Sequence, residues 1–197
     1  MKKVYNKLYL IGAGGYGKQL FIMLKSNDII KSVIFVDDKF KLNIKKFLKL
    51  KNKNNFSICV GTPAVREKIF NFLKSKKLYY STLILPNSNL YTDKIGKGSI
   101  IEHYVLLSNN VAIGIGCIIL TGSIVGHNSK LGNFCNIGTN VSISGDVKIG
   151  KKVVIGSQSF ISNNIKICDN VIIAPGSIVL KNITKPGVYN GNILIKP

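Results

Sequence analysis

Residues 95–184 read IGKGSI IEHYVL LSNNVA IGIGCI ILTGSI VGHNSK LGNFCN IGTNVS ISGDVK IGKKVV IGSQSF ISNNIK ICDNVI IAPGSI VLKNIT, fifteen hexads without an interruption. Every first position is Ile, Leu or Val, and every fifth position is Ser, Cys, Val or Ile. Six residues of strand and turn make one side of a prism, and three sides make a coil of eighteen residues. Coils stack at the spacing of neighbouring strands, about 4.8 Å. The aliphatic first residue then points inward on every side, with the small fifth residue packed beneath it. Five such coils, preceded by a less regular lead-in near LILPNSNLYTDK (83–94), bury a continuous column that no single repeat could bury alone.

The first 80 residues follow a different grammar. KLYLIGAGG reads as a buried strand running into a glycine turn, YGKQLFIMLKS as a helix, KSVIFVDD and FSICVGT as two further strands, and PAVREKIFNFLKSK as a helix with Pro63 near its start. Strands alternating with helices predict a small parallel α/β sheet. The predicted organisation is an α/β domain over residues 1–80 and a hexad solenoid over 81–197.

GAGGYG at 12–17 fits G-x-G-x-x-G, follows a strand, opens a helix, and precedes Asp37 by twenty residues from Gly17. Its glycines Gly12, Gly14 and Gly17 let the turn tighten and let a phosphate approach the helix N-terminus. A full dinucleotide fold needs two mononucleotide halves, and the α/β pattern ends after about 80 residues, so this half-fold is sized for one nucleotide. Lys18 does not fit a P-loop lysine, since neither the spacing nor a following Ser or Thr is present.

The net charge of +20 favours anionic partners, yet 27 of the 28 basic residues are lysines scattered among asparagines and isoleucines. No arginine cluster or aromatic–basic alternation marks a nucleic-acid face, so nucleic acid is not the expected partner. Cys59, Cys117, Cys135 and Cys168 lack metal-site spacing and are too sparse for a disulfide framework, which predicts reduced thiols. The N-terminal stretch has lysines but no cleavable apolar segment, and no run is long and apolar enough to span a bilayer. A cytoplasmic protein without membrane insertion is expected.

The hexads, together with LIGAGGYGK, FVDD, VGT, TGSIVGH and APGSIVLKN, resemble the hexapeptide-repeat acyltransferases across essentially the whole chain. Within them the chain is similar to the PglD/NeuD-like sugar acetyltransferases. The resemblance implies a Rossmann-like half-domain followed by a left-handed parallel β-helix, assembled as a homotrimer. It implies acetyl-CoA as co-substrate, with no metal expected, and a nucleotide-linked 4-amino-4,6-dideoxy sugar as acceptor for surface glycan synthesis. Sialic acid O-acetylation is the alternative of the same architecture.

His127, one of two histidines, is by this resemblance the base that takes a proton from the acceptor, which suits an imidazole near neutrality. Asn128 stands where a carboxylate commonly orients that ring, and Asn136 where some relatives carry a second histidine. Asn136, Gly145, Ser157 and Pro175 are the implied cofactor contacts, with the Gly145 N–H aimed at the thioester oxygen. Substrate contacts are implied at Gly12, Gly14, Gly15, Tyr16, Gly17, Asp37, Asp38 and Gly61, Tyr16 replacing a histidine frequent in the family's glycine loop. His103 is expected to be structural. The tail KPGVYNGNILIKP only partly resembles the family's closing segment.

Two other classes fit less well. A γ-type carbonic anhydrase would need three histidines on zinc, and the chain has two. A non-enzymatic solenoid that binds or scaffolds would present a repeated ladder of one surface residue, whereas outward positions here mix Lys, Asn, Asp, His and Tyr.

Overall fold

The computed structural model describes residues 7–26, 30–50, 55–78 and 80–197, so the reading of the N-terminus falls partly on residues outside it. The chain divides into two compact units, residues 1–82 and 83–197.

In the first unit three short strands, β1 (Leu8–Ile11), β2 (Val33–Val36) and β3 (Phe56–Ile58), form a parallel sheet in the order β2-β1-β3. Helices α1 (Gly15–Lys25), α2 (Ile44–Leu48) and α3 (Pro63–Ser75) join and follow them. The sequence reading did not anticipate α2. It starts at Asn43, whose side chain accepts the Lys46 N–H, and it buries only Phe47. Phe47 meets Tyr9 and Phe56 edge-on at 5.2 and 5.5 Å, and Tyr80 extends the cluster by stacking on Phe70.

The one arginine of the chain is fully buried in this unit. Arg66 donates from Nη1 to the carbonyls of Val60 at 2.7 Å and Gly61 at 3.1 Å, pinning the turn between β3 and α3. A planar guanidinium can hold two carbonyls at once where a lysine ammonium holds them poorly. Arg66→Lys is expected to cost about 2 kcal/mol, read as a lowered melting temperature.

The second unit is a left-handed parallel β-helix of about six turns. Its three faces are an eight-stranded sheet, face I; a six-stranded sheet, face II; and a four-stranded sheet, face III. The two-residue strands Ile118–Ile119, Ile124–Val125 and Lys130–Leu131 represent the three faces in one coil. Within the hexads the paired strands are eighteen residues apart, as in Ile124 to Ser142 and Lys130 to Lys148. Of the fifteen first-position residues, all but Ile95 are at most 5% exposed, so the inward column is the core. The lead-in is more regular than expected. Leu83–Ile84 joins face I, Asn89–Leu90 joins face II, and Ile95 bridges to Ile113, which makes a further coil.

Two repeated conformations explain the hexad chemistry. The fourth residue takes a left-handed backbone at Asn110, Asn128, Asn140, Asp146, Asn164 and Asn170, which is why Asn, Asp and Gly recur there. The fifth residue's hydroxyl links coils. Ser129 Oγ donates to the Ser144 carbonyl at 2.9 Å and accepts the Val147 N–H at 3.0 Å. Cys117 and Cys135 stack as thiols in a second fifth-position column, with Ser99, each donating to a glycine carbonyl one coil on, at 3.1 and 3.0 Å. The chain closes with Gly187–Asn190 on face I and an antiparallel return by Ile193–Lys196.

Candidate active site

His127 sits on the corner between faces II and III, where three coils superimpose their third and fourth hexad residues. Asn109, His127 and Gly145 stack in one column, and Asn110, Asn128 and Asp146 in the other. Backbone bonds lock the stack: Asn128 N–H donates to the Asn109 carbonyl at 3.1 Å, and Asp146 N–H to the His127 carbonyl at 2.8 Å.

The imidazole lies across Gly145. A Cβ built on Gly145 would stand 2.5 Å from both Cε1 and Nε2 of His127, whereas the Gly145 backbone itself is not left-handed. Glycine is therefore required here by the ring above it and not by the corner. His127 Nδ1 lies 3.2 Å from Asn128 Nδ2 and 3.6 Å from Asp146 Oδ2. Nε2 meets no protein partner among the described residues, and the side chain is 56% exposed. The ring thus has Nδ1 beside the Asn128 amide and near a carboxylate, while Nε2 lies over Gly145 with no protein partner among the described residues.

The Gly145 N–H is also unengaged among the described residues. At other corners the third-position N–H borrows a side chain, as when Ile115 N–H donates to Asn133 Oδ1 at 2.9 Å or Lys151 N–H to Asp169 Oδ1 at 2.7 Å.

The remaining predicted cofactor contacts stand elsewhere on the prism. Ser157 and Pro175 stack on the corner between faces I and II, where Ser157 Oγ accepts the Thr139 N–H at 3.2 Å. Asn136 projects from a strand of face I. Within one chain these residues and His127 lie at opposite edges of face II and do not meet. His103 shares the corner of Ser157, several coils away, with Nδ1 placed 3.0 Å from the Pro86 carbonyl oxygen.

Face II between these two edges carries an outward ladder of Leu106, Ile124, Ser142, Phe160 and Ile178. Ile124, Phe160 and Ile178 are 44, 38 and 60% exposed. Face III carries Lys130, Lys148 and Lys166 in register, beside an open groove of about 670 Å³ that reaches Asn182 and Pro186.

In the first unit the glycine loop is built as the motif requires. Gly12 has φ +105°, and a Cβ there would lie 2.7 Å from Val60. A Cβ on Gly17 would overlap the Gly12 carbonyl oxygen, so this glycine lets α1 pack against the loop. Around Gly14, Gly15 and Gly61 a Cβ would meet nothing, and Tyr16 is half-buried in the first turn of α1. Asp37 closes the loop by accepting the Ala13 N–H at Oδ2 and the Lys39 N–H at Oδ1. These two bonds, the Lys39 one foremost, hold its carboxyl below the ordinary carboxylate value. Cys59 donates its thiol to the Gly12 carbonyl at 2.9 Å, and burial pushes that thiol up to about 12, so it stays a donor. A cavity of about 570 Å³ opens here, lined by Gly12, Asp37 and Asp38 together with Lys39, Lys68 and Phe72.

Sequence reasoning missed Asp146 at the corner and Lys39, Lys68 and Phe72 in the cavity. Asp146 had a signal, since it follows Asn128 by one eighteen-residue period and shares its column. Lys68 and Phe72 had none, because nothing in α3 marks which face looks into the cavity.

Among the described residues no group of three or more His, Cys, Asp or Glu could hold a metal ion, and no helix is long and apolar enough to cross a membrane.

The bacterial transferase hexapeptide (six repeats) family matches residues 128–163 and 146–181, and the PglD N-terminal domain family matches residues 7–73. The chain thus pairs a segment that matches the PglD N-terminal domain with a segment that matches the hexapeptide repeats. Its fold is that of the acetyltransferase domain of PglB from Neisseria gonorrhoeae FA1090, with TM-score 0.86 and 21% identity over 98% of this chain and 100% of that one. That domain is also known in complex with acetyl coenzyme A. PerB from Caulobacter crescentus, solved with CoA and GDP-perosamine, superimposes with TM-score 0.83 at 19% identity over 93% of each chain. WeeI from Acinetobacter baumannii AYE gives TM-score 0.77 at 18% identity, covering 96% of this chain and 99% of that one. No curated protein sequence matches this chain.

Proposed function

We propose that the protein is an acetyl-CoA-dependent N-acetyltransferase acting on a nucleotide-linked 4-amino-4,6-dideoxy sugar. The observation that carries this reading is the corner at His127: an exposed imidazole laid over a glycine, near a carboxylate, with no protein partner for Nε2 among the described residues. The likeness to folds solved with CoA and with GDP-perosamine supports the same chemistry.

In the reaction the acceptor amine attacks the acetyl carbonyl carbon. The N–C bond forms, the carbonyl oxygen takes the negative charge against the Gly145 N–H, and the proton leaving nitrogen passes to His127 Nε2. When the carbonyl reforms, the C–S bond breaks with its electron pair on sulfur, and the imidazolium returns the proton to give the CoA thiol. The domain over residues 1–80 holds the nucleotide, with phosphate at the backbone of Gly14 and Gly15 and with Asp37 and Asp38 at base or ribose. The lysine column of face III offers cations to the cofactor's phosphates.

The active unit is a homotrimer. The split of the cofactor residues between the two edges of face II supports this, because threefold packing of that apolar face sets the His127 corner of one copy beside the Ser157 corner of the next. Phe160→Asp is expected to convert trimer to monomer in sedimentation equilibrium and to abolish turnover with it. A wild-type protein that sediments as a monomer would overturn the assembly.

The substrate test is a panel of UDP-, GDP- and dTDP-linked amino sugars and free sialic acid, each with acetyl-CoA and thiol release as readout. Release with an amino sugar and not with sialic acid is the expected result. Release with sialic acid alone would make the enzyme an O-acetyltransferase of surface glycan synthesis. No release with any acceptor would leave a non-enzymatic solenoid.

A further inference from the structure

At three corner positions the N–H of the third hexad residue donates to the side chain that stands one coil on. Ile115 N–H donates to Asn133 Oδ1 at 2.9 Å, Thr139 N–H to Ser157 Oγ at 3.2 Å, and Lys151 N–H to Asp169 Oδ1 at 2.7 Å. Gly145 also has an acceptor side chain one coil on, that of Asn163, and makes no such bond. Asn163 Oδ1 instead accepts the Ser162 hydroxyl at 3.3 Å, and the Gly145 N–H is left without a partner among the described residues.

The backbone does not account for the difference. At all four corners the fourth residue of the upper coil donates to the third residue's carbonyl in the lower one: Phe134 to Ile115 at 2.8 Å, Gln158 to Thr139 at 2.9 Å, Asn170 to Lys151 at 2.9 Å and Asn164 to Gly145 at 3.1 Å. Asn163 is therefore a side-chain rotation away from the place that Asn133 takes above Ile115. What differs is the residue before it. Asn133, Ser157 and Asp169 follow Gly132, Gly156 and Cys168, none of which carries a hydroxyl, whereas Asn163 follows Ser162. The same pair recurs at Ser108 and Asn109, where the hydroxyl again takes the amide oxygen, at 3.2 Å.

We propose that Ser162 is a positioning residue for the transfer: by holding Asn163 Oδ1 aside, it keeps the Gly145 N–H free for the acetyl oxygen. The proposal rests on the assignment of that N–H to the oxyanion. A donor stabilises developing charge without reorganisation only when it is not already engaged. Without the serine hydroxyl, Asn163 Oδ1 closes over the Gly145 N–H as Asn133 Oδ1 does over that of Ile115. The thioester oxygen must then displace a hydrogen bond to reach its donor. Ser162 is half-buried and Asn163 exposed, so the effect of the pair falls on turnover and not on folding.

The test measures kcat/KM for acetyl-CoA by thiol release, with GDP-, UDP- and dTDP-linked 4-amino-4,6-dideoxy sugars as acceptors. Ser162→Ala is expected to lower it by about threefold to tenfold, the effect of one hydrogen bond that has to be broken, with the melting temperature unchanged. Asn163→Ala is expected to stay within about twofold of wild type. The double variant Ser162→Ala/Asn163→Ala is expected to return to that level, a rescue that structural damage at position 162 would not give. A crystal structure of the Ser162→Ala protein without substrate reads the side chain directly, and is expected to place Asn163 Oδ1 within hydrogen-bonding distance of the Gly145 nitrogen. A Ser162→Ala enzyme as fast as wild type, a double variant as slow as the single one, or an Asn163 still turned from Gly145 in that crystal would each overturn the role of Ser162 and leave the assigned reaction standing. A wild-type protein that releases no thiol with any acceptor would sink the reaction itself, and this role with it.

Discussion

His127→Ala is expected to lower kcat by about two to four orders of magnitude, the usual contribution of a positioned proton acceptor, with assembly and melting temperature preserved. The selectivity follows from where the ring sits. His127 lies on an exposed corner and touches no residue of the inward column, so its removal opens no cavity. Its backbone carbonyl keeps the Asp146 N–H bond whatever the side chain. The measurement is thiol release from acetyl-CoA in the presence of acceptor, with sedimentation confirming the assembly. Turnover at the wild-type rate in a correctly assembled variant would remove the mechanism.

Gly145→Ala is expected to be nearly as damaging to turnover and almost silent in stability. The added Cβ would stand 2.5 Å from two atoms of the imidazole, so the ring must leave its position above the 145 backbone. Only a side chain has to move, because the Gly145 backbone is one that alanine adopts without strain. Displacing the ring by about 1 Å separates Nε2 from the acceptor and Nδ1 from Asp146, which costs on the order of a hundredfold in kcat. The contrast is with Gly114 or Gly132, where a Cβ would meet the backbone of the next coil at 2.5 and 2.6 Å and destabilise the whole column. A Gly145→Ala enzyme with wild-type kcat would show that the ring's placement over this glycine does not matter to the reaction.

The hexads made the prism, its register and its core legible because each rung repeats one local demand. An aliphatic residue points inward, a left-handed residue turns the corner, and a small residue links coils; fourteen of the fifteen inward positions are buried to match. The glycine loop was legible for the same kind of reason: Gly12 and Gly17 answer steric conditions that any residue with a Cβ fails. Helix α2 was not legible, since five residues carry too short a period to stand out, and the Asn43 cap and the burial of Phe47 hold it.

At the corner the residues were legible one by one, and their partnership was not. The sequence alone marked His127 as rare and determined that an eighteen-residue period governs residues 95–184, and the family resemblance marked Asn128 as a departure at the position of a carboxylate. Only the folded chain decided that Asp146, nineteen residues from His127, turns its oxygen to the imidazole and that Asn128 faces it with the NH₂ end. Periodicity places Cα atoms in columns, but the direction of a side chain and the orientation of an amide are settled by which donors and acceptors surround them in space.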